Sequence, residues 1–344
     1  MSTAYSAVGW NRQKKIYDSL IALFCFSYLL LFISLTLIFN SEATFETLLI
    51  RSTSTLALLL LHIILAIGPL TRLNKKFLPF LYNRRHLGVT MFCFAAVHGI
   101  FSIVQFHSLS NTNPLVSLLT SNTNFGNLPA FPFQLLGLLA LLILLLMAIT
   151  SHDFWLHNLS PMVWKSLHMM VYVAYVLIVM HVMLGVIQLE KNPVFVWILF
   201  TGTASLITLH LSAGLKERKI DKMKFTVQQN GFVYVCEANE IENSRAKIFC
   251  LDEERIAVYR HENKLYAVHN VCKHQGGPLG EGKIIDGCIT CPWHGYQYLP
   301  QNGQSPPPFK EKVSTYEVKV IDNKVWLNPT PFAEGTEQEG APLY

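Results

Sequence analysis

The period of the apolar residues divides the chain into a helix-forming part and a strand-forming part. Up to about residue 211 the apolar residues form long runs, each of the length that crosses a bilayer as an α-helix, for which roughly 20 residues suffice. The six runs are 20–39, 53–70, 87–105, 131–150, 162–188 and 194–211. A single run of this kind can be a buried core helix, but six in succession predict a bundle of six transmembrane helices.

From residue 232 onward, apolar and polar residues alternate in short segments, which is the period of β-strands. These segments are 232–235, 256–259, 265–268, 316–320 and 325–327. Turn-forming pairs separate them, namely Glu262-Asn263, Asp286-Gly287, Asn302-Gly303 and Asp322-Asn323. The predicted fold is therefore multi-domain, a six-helix transmembrane bundle followed by a small all-β domain.

Composition completes the predicted domain organisation. We predict an N-terminal segment at 1–18, the helical domain at 19–214, a charged linker at 215–224, the β domain at 225–329 and a disordered tail at 330–344. Of the 344 residues, 51% are hydrophobic and 14% are charged, which is too apolar for a soluble protein of this length. The chain has no basic stripe with interleaved aromatic residues, so we expect no nucleic acid partner.

Lys and Arg are unevenly distributed between the two sides of the predicted bundle. The N-terminal segment, the second connection, the start of the fifth run at Lys165 and the stretch after the last helix carry nearly all of them, whereas the other side has only Arg51 and Lys191. Because basic loops stay on the cytoplasmic side, both termini and the β domain are predicted to be cytoplasmic. We expect a multi-pass integral protein of a bacterial inner membrane.

Two short motifs of the β domain supply four candidate metal ligands. Cys272-Lys273-His274 and Cys291-Pro292-Trp293-His294 are separated by sixteen residues, and each contributes one thiolate and one imidazole. Two Cys and two His also form structural zinc sites, but zinc-finger spacing places both Cys before both His. The alternating order favours a Rieske [2Fe-2S] centre, in which Cys272 and Cys291 hold one iron and His274 and His294 hold the other.

The residues around these motifs resemble the Rieske ferredoxin-like domain over about 225–327. The resemblance includes Gly276-Gly277-Pro278-Leu279, Gly295 and the loop Pro306-Pro307-Pro308-Phe309, which covers the cluster in that family. Respiratory members carry a further Cys in each loop and join the two by a disulfide. The matching positions here are Gly277 and Trp293, so the resemblance implies a centre without that bridge.

A second departure from the respiratory proteins concerns hydrogen bonds to the cluster. The Ser that donates to a bridging sulfur in those proteins is replaced by Tyr296, whereas Tyr298 keeps an aromatic hydroxyl near the cluster. Fewer donors to the sulfurs stabilise the reduced cluster less. The resemblance therefore implies a one-electron carrier at the low-potential end of the Rieske range.

Histidines inside the predicted membrane helices form the second group of candidates. An ionisable residue is costly in a bilayer, so a functional role is expected, and haem ligation is the leading role in an electron carrier. The histidines in or at the edge of the spans are His62, His86, His98, His168, His181 and His210.

The surroundings of these histidines resemble the ferric reductase-like transmembrane domain over about residues 50–212. The matching segments are Arg84-Arg85-His86-Leu87-Gly88 followed by His98, 151–156, and 164–168 followed by His181. That superfamily includes ferric reductases, the membrane core of NADPH oxidases and the haem subunit of a periplasmic methionine sulfoxide reductase. The resemblance implies one or two b-type haems.

Helix geometry indicates where such haems would lie. His168 and His181 are about 20 Å apart along one helix, and His98 lies deep enough in the third helix to pair with His181 at an outer haem. An ideal 100° step does not bring His168 and His181 onto one stripe. Either the helix is distorted or two haems approach it from different directions.

The ligands of an inner haem are less completely specified. His168 is the expected ligand on the fifth helix, while the position that ferric reductases use on the third helix holds Arg84 in this chain. His86 and His62 both remain candidates for its partner, and otherwise His168 ligates alone or with a non-His partner. Arg84 and Arg85 are expected to contact haem propionates.

These sites together predict a membrane oxidoreductase that carries single electrons from a cytosolic donor through a Rieske cluster and haem b to an extracytoplasmic acceptor. No G-x-G-x-x-G motif opens a βαβ unit, so a separate reductase or a ferredoxin is the expected donor. Quinone-linked electron transfer and a non-catalytic redox sensor remain open. A Rieske oxygenase is excluded, because the chain has no room for a large domain with a mononuclear iron site.

Overall fold

The computed structural model describes residues 12–81, 83–108, 111–190, 193–223, 231–293 and 295–343. The chain divides into two compact units, with divisions after Ala66, Asn83 and Thr208. One unit contains most of the helical bundle. The other contains the β strands together with the loop after the second long helix and the end of the last helix.

Long helices dominate the first part of the chain, as predicted. Six stretches within the described ranges are long and apolar enough to cross a membrane: Lys14–Phe39, Phe45–Leu73, Arg84–His107, Phe133–Thr150, Met162–Gln188 and Pro193–Asp221. The α-helices are α1 (Arg12–Phe39), α2 (Phe45–Leu73), α3 (Leu78–Leu81), α4 (Arg84–His107), α5 (Pro114–Thr120), α6 (Phe133–Thr150), α7 (Asp153–Asn158), α8 (Pro161–Met169), α9 (Val171–Leu184), α10 (Val186–Leu189) and α11 (Pro193–Asp221).

The outer surface of the helices is apolar, as a lipid-facing surface must be. On α1, Leu20, Phe26 and Leu30 expose 60%, 66% and 59% of their surface, an arrangement that would be unfavourable in water. Leu56 and Leu60 of α2, by contrast, are fully buried one turn apart and form part of the inner stripe of that helix.

The last helix extends beyond its apolar run. We predicted a charged linker at 215–224, but α11 continues through this stretch as far as Asp221. Leu, Lys, Glu and Arg are strong helix formers, and adding residues to an existing helix needs no new nucleus. The linker prediction is therefore wrong for 215–221, and residue 224 lies outside the described ranges.

The fifth span is not one continuous helix. Met170 separates α8 from α9, and Gly185 separates α9 from α10. The Met170 N–H donates to the Leu167 carbonyl, an i→i−3 bond that tightens the turn. The helix between His168 and His181 is therefore distorted, which is one of the two arrangements that the sequence left open.

The β strands form two antiparallel sheets. The larger has the strand order β1-β9-β8-β4-β3-β2 with β10 beside β4, and the smaller has the order β5-β6-β7. The strands are β1 (Val233–Glu237), β2 (Ala246–Leu251), β3 (Glu254–His261), β4 (Lys264–His269), β5 (Lys283–Ile285), β6 (Cys288–Thr290), β7 (Gln297–Tyr298), β8 (Thr315–Ile321), β9 (Lys324–Pro331) and β10 (Ala341–Pro342). The all-β prediction for this part of the chain is confirmed.

Two-residue turns connect four pairs of neighbouring strands. Both turn residues have positive φ, as a type I′ hairpin requires. The pairs are Asp252-Glu253, Glu262-Asn263, Asp286-Gly287 and Asp322-Asn323. The sequence indicated the last three, which have Asn or Gly at the second turn position, but not the first, which has Glu there.

The C-terminal segment that we predicted to be disordered is part of the sheet. Ala341 and Pro342 pair with Leu265 and Lys264 of β4, and the Leu343 N–H donates to the Asn263 carbonyl over 2.8 Å. The hydrophobic side chains of Ala341 and Leu343 pack on the core between the strands. The prediction of a disordered tail is wrong, because it relied on the average composition of the segment and did not take these few apolar residues into account.

Ion pairs join the end of α11 to the β strands of the same unit. The Arg255 guanidinium donates two hydrogen bonds to Asp221, at 2.8 and 2.9 Å, and a third to Glu217 at 2.5 Å. Arg72 at the end of α2 lies 3.6 Å from the carboxylate of Glu281. A bidentate Arg–carboxylate pair has one geometry, so Arg255 fixes the β domain to the helix end.

Gly282 marks a close approach of two segments in the smaller sheet. A Cβ atom at this position would lie 2.1 Å from the Thr290 carbonyl oxygen, directly before Cys291. We expect Gly282→Ala to destabilise β5–β6 by about 1–3 kcal/mol through overpacking, measured as faster hydrogen exchange of their amides. At Gly287 a Cβ atom would have no neighbour within 4 Å, and only the positive φ disfavours alanine. Gly287→Ala should therefore lower the free energy of unfolding by about 1 kcal/mol. Equal effects would contradict the steric argument.

Candidate metal centres

The first cysteine motif forms a tight loop closed by its own backbone. The Cys272 N–H donates to the Gly277 carbonyl over 2.8 Å, and the Gly276 N–H donates back to the Cys272 carbonyl over 2.7 Å. Gly276 has φ +71°, which a residue with a Cβ adopts only at a cost. The glycine is therefore required by the loop.

The second cysteine motif repeats this arrangement. The Cys291 N–H donates to the Tyr296 carbonyl over 2.7 Å, and the Gly295 N–H donates to the Cys291 carbonyl over 2.9 Å. Gly295 has φ +73°, close to the value of Gly276 in the first loop. Two loops of the same hydrogen-bond pattern thus present the two cysteines in equivalent ways.

Both thiols are buried in the core between the two sheets. Cys272 and Cys291 expose 1% and 2% of their surface. A Cβ atom on Gly277 would lie 2.8 Å from the Cys291 sulfur, so the loops meet where only glycine fits. All seven cysteines are free. Cys288 is buried on β6, as expected for a core residue.

Tyr298 of β7 hydrogen-bonds to the first motif. Its hydroxyl lies 3.3 Å from the Cys272 sulfur and accepts from the Lys273 N–H over 3.0 Å, which leaves its proton for the sulfur. Burial, together with the nearby Cys272, raises the pKa of the Tyr298 hydroxyl. The phenol therefore stays protonated and acts as a donor.

The electrostatic surroundings favour the thiolate form of Cys272. Burial alone would raise the pKa of this thiol, but hydrogen bonds from Cys291, from the Tyr298 hydroxyl and from two backbone N–H groups lower it below its ordinary value. Thiolates are the form that binds iron. The described residues thus fit the ligand set of a [2Fe-2S] centre, while His294 lies outside them and stays a sequence prediction.

His274 is packed against a tyrosine that the structure links to an acidic residue. The rings of His274 and Tyr296 are parallel within 8°, with centroids 5.0 Å apart. The Tyr296 hydroxyl donates to the Glu311 carboxylate. The sequence did not indicate Glu311, because fifteen residues separate it from Tyr296 and no local spacing relates them.

The structure brings together two of the predicted haem ligands, His98 of α4 and His181 of α9. Their ring centroids are 6.4 Å apart. The Nδ1 atom of His98 lies 3.2 Å from the Ile50 carbonyl, and that of His181 lies 2.8 Å from the Phe133 carbonyl. Ile50 and Phe133 lie near the first residues of α2 and α6, so the pair occupies the end of the bundle away from the basic loops.

This arrangement fits a haem iron between the two rings. A Nδ1–H that donates to a carbonyl leaves Nε2 as the free electron-pair donor of each imidazole. Metal–imidazole bonds are about 2 Å long, so two rings on opposite sides of one iron have centroids roughly 6 Å apart. Gly137 of α6 gives His181 its space, since a Cβ there would lie 2.8 Å from the ring.

The predicted inner ligand, His168, has other contacts. Its ring stacks on Trp164 with centroids 3.8 Å apart, and its Nδ1 lies 3.0 Å from the Trp164 carbonyl. Its Nε2 lies 3.3 Å from the Ser151 hydroxyl at the end of α6. The Nδ1 contact suits a metal ligand, as in His98 and His181, but the neighbour at Nε2 is a hydroxyl.

The two candidates for the partner of His168 hydrogen-bond elsewhere. His62 uses both ring nitrogens, with Nδ1 2.8 Å from the Leu58 carbonyl and Nε2 3.1 Å from the Tyr175 hydroxyl. This arrangement is that of an interhelical hydrogen bond rather than a metal ligand. His86 has its Nδ1 2.9 Å from both carboxylate oxygens of Asp18.

The two arginines proposed as propionate contacts begin α4. The Arg85 guanidinium donates to the Ser151 carbonyl over 3.3 Å, next to the Nε2 of His168. Their contact with a haem stays a prediction.

Comparison with known proteins matches each part of the chain to a family. Residues 52–179 match the ferric reductase like transmembrane component, and residues 231–317 match the Rieske [2Fe-2S] domain. The transmembrane part is similar to the protein-methionine-sulfoxide reductase heme-binding subunit of Cronobacter sakazakii. The two are 35% identical over 144 residues, which cover 41% of this chain and 66% of that protein.

Two ferredoxins are similar to the C-terminal part. The anthranilate 1,2-dioxygenase ferredoxin subunit of Burkholderia cepacia is 34% identical over 77 residues, 22% of this chain and 71% of that protein. The ferredoxin component of the alkene monooxygenase system of Xanthobacter autotrophicus is 25% identical over 107 residues, 31% of this chain and 88% of that protein. The chain is therefore a multi-pass membrane redox protein whose helical part matches the ferric reductase like transmembrane component and whose C-terminal part belongs to the Rieske [2Fe-2S] family.

Proposed function

We propose that this protein carries single electrons across the membrane, from a cytosolic donor to an extracytoplasmic acceptor. The observation that carries the proposal is the pair of His98 and His181, whose spacing and Nδ1 hydrogen bonds suit bis-imidazole ligation of haem b. A Rieske cluster and a b-type haem each take up and release one electron when bound.

The residues of the chain hold these groups and keep water away from them. Cys272 and Cys291 supply buried thiolates, with His274 and His294 as the proposed imidazole ligands. In the bundle, the carbonyls of Ile50 and Phe133 orient the imidazoles of His98 and His181, which would hold a b-type haem near the outer face. His168 would be the ligand of a second haem toward the basic side.

The donor is proposed to be a cytosolic reductase or a reduced ferredoxin. The basic loops favour a cytoplasmic β domain, and the chain has no dinucleotide-binding motif of its own. The ferredoxins to which this domain is similar belong, by name, to dioxygenase and monooxygenase systems. A domain of this kind accepts electrons from another protein.

Electron exchange with membrane quinone is the second candidate function. A cavity of about 820 Å³ lies between α1, α4 and α6. Asp18, Arg85 and His86 line its polar part, and Cys25 and Phe94 belong to its apolar wall. A cavity with a polar end and an apolar wall suits a quinone ring with its tail. Turnover that depends on added quinol, with no need for a soluble donor, would favour this alternative.

Replacement of the paired histidines tests the haem site. His98→Ala and His181→Ala should each remove the same low-spin haem from the reduced spectrum, because one iron loses one of its two imidazoles. The measurement is a pyridine haemochrome assay with the reduced-minus-oxidised spectrum of purified protein. His62→Gln is the matched control, since both of its nitrogens already have partners, and it should retain the full haem content. Full haem in both alanine variants would exclude the pair as ligands.

Replacement of the cysteines and His294 tests the cluster site and its independence from the haem. Cys291→Ala and His294→Ala should abolish the Rieske signal in electron paramagnetic resonance, whereas Cys288→Ala should keep it because that thiol only fills the core. Haem absorbance should be unchanged in all three variants. His294→Cys should lower the cluster potential, because a thiolate replaces a neutral ligand. Simultaneous loss of cluster and haem would contradict a two-part design.

Sealed vesicles test the direction of electron transfer. In everted vesicles, whose cytoplasmic face is outside, an added ferredoxin with its reductase should reduce the b haem, and ferricyanide trapped inside should reoxidise it. Right-side-out vesicles should show no reduction by the same external donor. The opposite result would place the β domain on the other side. Everted vesicles of the His98→Ala variant control for leakage of electrons around the haem.

A further inference from the structure

The environment of His274 contains a negative charge that the cluster chemistry does not itself require. That charge is the Glu311 carboxylate, and Tyr296 lies between it and His274. The Tyr296 ring is parallel to the His274 ring, and its hydroxyl donates to Glu311. The Phe309 ring packs on Tyr296 with centroids 4.8 Å apart. Tyr296 is 3% exposed, so the surrounding side chains fix the position of its ring and keep its hydroxyl at the Glu311 carboxylate.

The Glu311 carboxylate is held in place by the backbone as well. It accepts from the Lys310 N–H over 3.0 Å, and the carbonyl of Glu311 accepts from the Ser305 N–H over 2.9 Å. Burial would raise the pKa of Glu311, but the hydrogen bonds from Tyr296 and from backbone N–H groups lower it. The residue is therefore an anion at neutral pH.

We propose that Glu311, acting through Tyr296, lowers the reduction potential of the Rieske cluster. Glu311 acts as a positioning residue, because its carboxylate accepts from the Tyr296 hydroxyl and the Lys310 N–H. Two physical effects have the same sign. An anion close to the cluster stabilises its more positive, oxidised state, since net charge helps to set the potential. A phenol that donates to a carboxylate also gains electron density on its ring, whose negative face lies against the His274 imidazole.

Tyr298 works in the opposite direction. It lies two positions after Tyr296, and its hydroxyl donates to the Cys272 sulfur, which stabilises the electron-rich reduced cluster. The two tyrosines thus hold two hydroxyls with opposite tasks. The Tyr298 hydroxyl donates to the sulfur of the ligand Cys272, whereas the Tyr296 hydroxyl donates to the Glu311 carboxylate. Removing either partner should shift the potential in a known direction.

A redox titration of the full-length protein, followed by the electron paramagnetic resonance signal of the reduced cluster, tests this role. Glu311→Gln keeps an acceptor for Tyr296 but removes the charge. We expect the ratio of reduced to oxidised cluster at a fixed potential to rise roughly three- to tenfold, where tenfold equals 59 mV for one electron. Tyr298→Phe should shift the ratio the other way.

Glu240→Gln is the matched control. Glu240 is an exposed carboxylate of the same domain, paired with Lys247 over 2.5 Å, and its neutralisation should leave the potential unchanged. In the Tyr296→Phe background, Glu311→Gln should have a smaller effect than in the parent protein, because the link through the phenol is gone.

Three outcomes would overturn the proposal: an unchanged potential in Glu311→Gln, an equal shift in Glu240→Gln, or loss of the cluster signal in both Glu311→Gln and Tyr296→Phe. The last would show that the pair is structural. The haem spectrum and the direction of electron flow do not enter this test, so it can fail while the proposed function holds, and the reverse.

Discussion

The hydrogen bonds that orient buried imidazoles are the constraint on which the helical part depends. A histidine in an apolar bundle must satisfy one nitrogen before the other can bind a metal. His98 and His181 use backbone carbonyls of two other helices for this purpose. Each imidazole is thereby held by a second helix, so the position of the pair depends on four helices, α2, α4, α6 and α9. Gly137 serves the same need, since a Cβ atom there would lie 2.8 Å from the His181 ring.

The C-terminal domain solves a similar problem with its backbone. Two loops of equal hydrogen-bond pattern present Cys272 and Cys291, and the left-handed glycines Gly276 and Gly295 make each loop possible. On our proposal, the surrounding tyrosines then adjust the reduction potential of a centre whose position the loops fix. Glycine and the main chain would thus set the geometry of the site and side chains its potential, so the two could vary separately.

The sequence was sufficient wherever a residue's role depends on nearby residues. The six spans, the turn pairs such as Asp286-Gly287 and the loops around Cys272 and Cys291 all follow from local runs and spacings. It was insufficient where roles depend on distant partners or on small local exceptions. The carbonyl of Phe133 and the carboxylate of Glu311 are such partners. The Asp252-Glu253 turn lacks the Asn or Gly that marks the other turns. The strand at Ala341 lies in a segment whose average composition indicates disorder.

The close contact between Gly277 and the Cys291 sulfur has a consequence for how the domain matures. Because no side chain fits there, this protein has no room for the covalent cross-link that would hold empty loops in register. The main-chain hydrogen bonds of each loop are then what keeps the two cysteines in place before iron enters. A bound cluster would be the first covalent link between the two loops.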